Sequence, residues 1–138
     1  MTENVYTYDE ALKASIEYFD GDDLAGRVFV DKYSLRDNNN NILEKTPTNM
    51  HHRLAKEFAR IEKNKFKNPL LEKEIFDLFD HFKYLVPQGS PMFGIGNDYQ
   101  YVSLSNCFLV ENPKDSYASI LKTDEQVIQI SKRRGGCG

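Results

Sequence analysis

A chain of 138 residues with 40% apolar content is long enough for one modest domain, and its formal charge of -3 gives no reason to expect nucleic acid or an anionic membrane as partner. No apolar run approaches the roughly 20 residues that cross a bilayer, and the start MTENVYTYDEA lacks a basic segment followed by an apolar one, so neither a membrane span nor a secretory signal is expected. Two cysteines, Cys107 and Cys137, are too few for a disulfide scaffold and have no zinc spacing; a reducing, cytoplasmic location is the default.

The first half of the chain is helical in pattern. Leu12, Ile16 and Phe19 fall at helical spacing from about Tyr8, with Gly21 as a stop, and Leu24, Val28 and Phe29 continue a second amphipathic segment to about Leu35. Arg36, Asp37 and the run Asn38 to Asn41 predict a surface loop, because asparagine competes for backbone hydrogen bonds and favours turns. Thr46-Pro47 supplies a capping hydroxyl and a pre-set first helical residue, after which Met50, Leu54, Phe58 and Ile61 form one apolar stripe. His51 and His52, being adjacent, lie on different sides of this helix and are expected at the surface. After a link from Lys63 to Asn68, a fourth helix follows Pro69, with Leu71, Ile75, Leu78, Phe79 and Phe82 inward until Pro87 ends it. His81 is expected to pack or to face solvent.

Beyond Pro87 the character changes. Gly89, Gly94 and Gly96, with Pro91, predict a backbone-driven loop, and Gly94-Ile95-Gly96 is not a dinucleotide fingerprint because the third glycine is absent. Tyr99, Tyr101 and Val102 before a Ser-Asn-Cys step, and Phe108, Leu109 and Val110 after it, read as strand, bend and buried strand, placing the Cys107 thiol beside a chain reversal. Asp115 or Ser116 opens a last helical region, Thr123-Asp124-Glu125-Gln126 matches a capping box, and Gly135 closes the region after the basic turn Lys132, Arg133 and Arg134.

The ordered motifs GSPMFGIGN (89–97), SLSNCF (103–108), DSY (115–117), TDEQ (123–126) and KRRGG (132–136) resemble the catalytic, large subunit of class I and adenosylcobalamin-dependent class II ribonucleotide reductases. The helical part, including DKYSLRD (31–37) and LAKEFARIEK (54–63), is similar to that family's N-terminal region. The resemblance implies an α+β chain: residues 1–86 as a mainly helical region, and residues 87–138 as the first strands and helix of a ten-stranded α/β barrel, incomplete in this chain. It implies the N-terminal part of an enzyme that reduces ribonucleotides to deoxyribonucleotides, inert without the barrel remainder because the radical cysteine and acid/base residues are absent.

By the same resemblance Cys107 is one member of the reducing thiol pair, although an unrecognised free cysteine would be read as a small buried hydrophobe. Cys137 is not promoted to its partner. Ser90, Ser105 and Asn106 correspond to substrate-binding positions, as do the main-chain groups of Gly135 and Gly136; turn chemistry alone is the competing reading of Ser90 and Gly135. Asp115 resembles the carboxylate that holds an allosteric nucleotide, and is equally an ordinary helix cap. A solvated helix end is the simpler account of Lys132, Arg133 and Arg134.

The implied radical source is adenosylcobalamin, which the overall similarity favours, or a metal-containing radical-generating subunit, neither bound by this chain alone. The implied partners are the C-terminal remainder of the subunit, a ribonucleotide substrate, a deoxynucleotide or ATP effector, a second catalytic subunit in a homodimer, and a thioredoxin- or glutaredoxin-type reductant. No regulatory cone is expected ahead of the first helix. The alternative is a helical interaction module derived from the same family and lacking catalysis.

Overall fold

The computed structural model describes residues 4–138, and within them the chain is mainly helical, with two short strands. Helix α1 (Tyr8–Tyr18) begins at Thr7 in a reciprocal cap: the Glu10 N–H donates to Thr7 Oγ1 at 3.3 Å and the Thr7 N–H donates to the Glu10 carboxylate at 2.8 Å. Asp20 and Gly21, both at positive φ, turn the chain into α2 (Asp23–Lys32), which Asp22 caps through the Ala25 N–H. The two helices cross closely at Gly26, where a Cβ would lie 2.7 Å from Ile16 Cγ1. The buried face of α1 is Ala11 and Ser15, while Leu12, Ile16 and Phe19 are half-buried around it.

The second helix ends at Lys32, short of the expected Leu35. Its continuation is taken by a hairpin-like loop, in which the Leu43 N–H donates to Leu35 O at 2.9 Å and Asp37 gathers the Asn39 and Asn41 N–H groups. These donors hold the Asp37 carboxyl below its usual pKa, the side-chain amide of Asn41 contributing most. The asparagine run is therefore a closed turn, as its composition suggests.

Helix α3 (Pro47–Lys65) follows Thr46, and the side-chain Oδ1 of Asn49 accepts from the Thr46 N–H at 3.2 Å. It pairs with α4 (Glu72–Phe79). Met50 and Leu54 are fully buried between the helices with Phe79, Ile75 and Val30, and this cluster is the core. His51, expected at the surface, is wholly buried, stacked on Phe79 and edge-to-face with Phe82. The reason is the width of the apolar face: α3 buries Met50, His51, Leu54 and Ala55 together, a stripe that spans both sides of the Met50–Leu54 line. His52 is exposed and stacks on Phe76.

Helix α4 stops at Phe79, before the expected Pro87. A tight turn at Asp80–Phe82 follows, with His81 and Phe82 both at positive φ, and Leu71 and Leu78, expected inward, are exposed. His81 lies over Tyr18 and against the Asp80 carboxylate.

The glycine-rich stretch expected as a loop forms a short helix instead, α5 (Gly89–Gly94), and only its exit needs a glycine at positive φ, Gly96. No strand forms over Tyr99–Val102, and Tyr101 is 97% exposed. Strand β1 (Cys107–Phe108), helix α6 (Tyr117–Ser131) and strand β2 (Gly136–Cys137) make a parallel β-α-β unit, Cys107 opposite Gly136 and Phe108 opposite Cys137. The expected buried strand over Phe108–Val110 is thus short, and Leu109 is 93% exposed. The TDEQ segment lies inside α6, whose cap is Ser116. Among the described residues no helix is long and apolar enough to cross a membrane.

Candidate functional site

Ser90 begins α5 almost buried, and its N–H donates to Asn106 Oδ1 at 2.6 Å; the Asn106 amide in turn donates to Gln88 Oε1 at 2.7 Å. A residue just before β1 is thereby tied to the start of α5, 16 positions away in sequence. Both Ser90 and Asn106 line a cleft of about 300 Å³ whose other walls include Lys32, Tyr33, Phe93 and Arg134. Gly89 lines the same cleft, and a Cβ there would lie only 3.1 Å from the Tyr33 ring.

Cys107 follows Asn106 directly and is exposed at the start of β1. The Gly136 N–H donates to Asn106 O at 2.7 Å, so β2 is registered on the residue that lines the cleft. In parallel strands paired residues share a face and successive residues alternate, so Cys107 and Cys137 point to opposite faces of the pair.

Of the other sequence-predicted residues, Ser105 is exposed and braced by Ser103, whose Oγ donates to Ser105 O and accepts its N–H, each at 3.0 Å. Gly136 is exposed on β2. Gly135 is buried, and a Cβ there would meet Ile130 Cγ2 at 2.6 Å and Phe108 Cε2 at 2.8 Å. The αL residue that ends α6 is Arg134, at φ 65°, so glycine at 135 answers a need for space. Asp115 stands exposed outside α6, the capping role having passed to Ser116. It lies at the end of the 15-residue helix away from Gly135, a span of about 22 Å.

Two features escaped sequence reasoning. Arg134 is exposed with Lys132 and Arg133, as a solvated helix end would have it, but it also makes tertiary contacts: its guanidinium lies 3.7 Å from the Phe93 ring centroid and donates to Lys32 O at 2.9 Å. Partial burial lowers its pKa. The partner carbonyl is 102 residues away, beyond the reach of any local pattern.

Arg53 is the second. Its Nε meets Glu44 Oε1 at 2.7 Å with both side chains nearly buried, 9% and 6% exposed, while its other nitrogens donate to the carbonyls of Met92 and Ile95 at the end of α5. Glu44 also accepts the Leu35 N–H at 3.1 Å. One ion pair thus fixes α3, the hairpin-like loop and α5, and with α5 the wall that carries Ser90.

Residues 19–98 match the family model described as ribonucleotide reductase, all-alpha domain. No curated protein and no solved structure matches the chain significantly. The match takes in α2 to α5 and more than half of the 138 residues, and its helical character is the one observed. The chain belongs to the ribonucleotide reductase family, whose all-alpha domain it carries.

Proposed function

We propose that the chain is the N-terminal part of a ribonucleotide reductase catalytic subunit, with residues 1–86 as the helical region and residues 87–138 as the first β-α-β unit of the ten-stranded barrel. The observation that carries this reading is the parallel pairing of β1 and β2 around α6, with the Cys107 thiol exposed beside the Ser90–Asn106 cleft. Parallel β-α-β crossovers are the repeating unit of α/β barrels.

In this reading the ribose 2′ C–OH is replaced by C–H. Two thiols supply two electrons and two hydrogens; the hydroxyl leaves as water and the sulfurs join as a disulfide. Cys107 is one of the two, and its partner comes from the remainder of the subunit. Ser90, Ser105, Asn106 and the main chain of Gly135 and Gly136 hold the substrate, and Asp115 holds the effector nucleotide across from α6 of a second subunit. A thioredoxin- or glutaredoxin-type protein restores the thiols in the cytoplasm.

Activation at the 3′ position needs a radical, from adenosylcobalamin or from a metal-containing subunit. Among the described residues no three His, Cys, Asp or Glu side chains stand together as a metal set. The family resemblance, and not that absence, is the ground on which we assign the radical source outside this chain.

Reassembly with a polypeptide carrying the rest of the barrel tests the proposal. Deoxynucleotide formation should appear only in the mixture, with adenosylcobalamin or the metal subunit supplied in separate arms, and should vanish with a dithiol reductant when Cys107→Ser is used. Undiminished turnover by that variant would remove Cys107 from the chemistry. A mixture that binds without turnover would favour the interaction-module reading.

A further inference from the structure

The cleft has a charge balance unlike the rest of the molecule. Lys32 and Arg134 are the charged side chains in its lining and no carboxylate accompanies them, although acidic residues outnumber basic ones 21 to 18 in the chain. The larger hollow of about 470 Å³ beside α3 has Glu44, Glu57, Glu72 and Asp98 among its walls together with Arg53 and Lys56, so a lining that is basic alone is not simply what concave surface here collects.

Arg134 is also unusually fixed for a residue at a helix exit. Its backbone is at φ 65°, one face of its guanidinium covers Phe93, and one Nη2 donor is taken by Lys32 O. No carboxylate pairs with it among the described residues. A guanidinium has five N–H donors in a planar fork, and most of this fork is left without a protein acceptor. Asn106, by contrast, spends its side chain on Ser90 and Gln88 and serves shape.

We infer that Arg134, seconded by Lys32 and the Ser90 hydroxyl, binds a phosphate group of a nucleotide in this cleft. The inference rests on the reading of the cleft as a ribonucleotide site, and it adds the counter-charge that serine hydroxyls and backbone amides lack. Phosphate oxygens match the guanidinium fork in geometry and charge, and stacking on Phe93 pre-sets the fork before the ligand arrives.

Inorganic pyrophosphate titrated into the full chain at low salt, followed by backbone amide resonances, provides the test. Saturable shifts are expected at Ser90, Asn106 and Gly135. Arg134→Ala should weaken binding by on the order of tenfold, the worth of one charge-assisted hydrogen bond. Arg134→Gln keeps an amide donor for Lys32 O while losing the charge, and it should show the same loss should the alanine variant unfold. Unchanged affinity in a folded Arg134 variant overturns the inference, as do unsaturable shifts scattered over surface lysines. Cys107→Ser should bind pyrophosphate as the parent does. If the thiol proves to have no redox role while Arg134-dependent binding persists, the catalytic proposal fails and the anion site stands.

Discussion

Arg53 and His51 sit one turn of α3 or less apart and show two outcomes of burying a titratable side chain. Arg53 is compensated on every side, by the Glu44 carboxylate and by two carbonyls of α5. Removing one partner of such a pair strands the other in a dry site, so Arg53→Ala should lower stability by about 3–5 kcal/mol in urea unfolding. It should also disorder α5, seen as loss of amide protection near Phe93. His51 has no compensation: both ring nitrogens are buried without a hydrogen-bond partner, and burial pulls its pKa down from 6.5 to about 4. Asp80 nearby works against that shift, while His81 and His52 reinforce it. The unfolded chain therefore takes up the proton first, and stability present above pH 6.5 is lost as pH falls toward 4. Urea midpoints measured across this window should decline in the parent and decline less in His51→Phe, which fills the same aromatic pocket without a proton to gain.

At the scale of elements, what could be read from the sequence was what neighbouring residues decide. Thr46-Pro47 starts α3 where expected, Asp37 and the asparagines close their turn, and Ser116 caps α6, because each of these bonds spans four positions or fewer. Elements set by distant partners were not legible. The GSPMFG stretch looks like a loop until Arg53, some 40 residues earlier, is seen to take up the carbonyls at its end. Tyr99 to Val102 has strand-forming side chains but no pairing strand, and a strand without a ladder partner does not form. The same division holds for the candidate site: Ser90, Asn106 and Cys107 were visible as a motif, whereas Arg134 gained its place through a carbonyl on α2 and the Phe93 ring of α5, both distant in sequence. Two glycines mark where elements touch. Gly26→Ala would drive a methyl into Ile16 and should cost about 1–3 kcal/mol, measurable as a lower thermal midpoint. Gly135→Ala would push Ile130 and Phe108 apart and should free the Gly138 N–H from Phe108 O, raising its hydrogen-exchange rate while α3 is unaffected.

Over the whole molecule, the core and the candidate chemistry occupy different parts of the chain. Every fully buried apolar side chain among the described residues lies between Ala11 and Phe93; none comes from the β-α-β unit. That unit instead leaves Tyr117, Leu121 and Ile128 of α6 exposed at 88%, 67% and 62%, and its two-stranded sheet keeps both outer edges open. A helix without a covered apolar face and a two-stranded sheet are each marginal in water, since neither buries enough to offset the chain entropy it costs to order them. Stability should therefore fall in two tiers. In native-state hydrogen exchange, amides of Met50 to Ala55 should open only with global unfolding, whereas those of α6 and β2 should exchange orders of magnitude faster through local opening. Adding a polypeptide with the rest of the proposed barrel should slow exchange in α6 and β2 and leave α3 as it was, because the new contacts would fall on the exposed face alone. Equal protection of α3 and α6 in the isolated chain would mean that the β-α-β unit needs no further partner, and would remove the structural reason for placing it in a larger barrel.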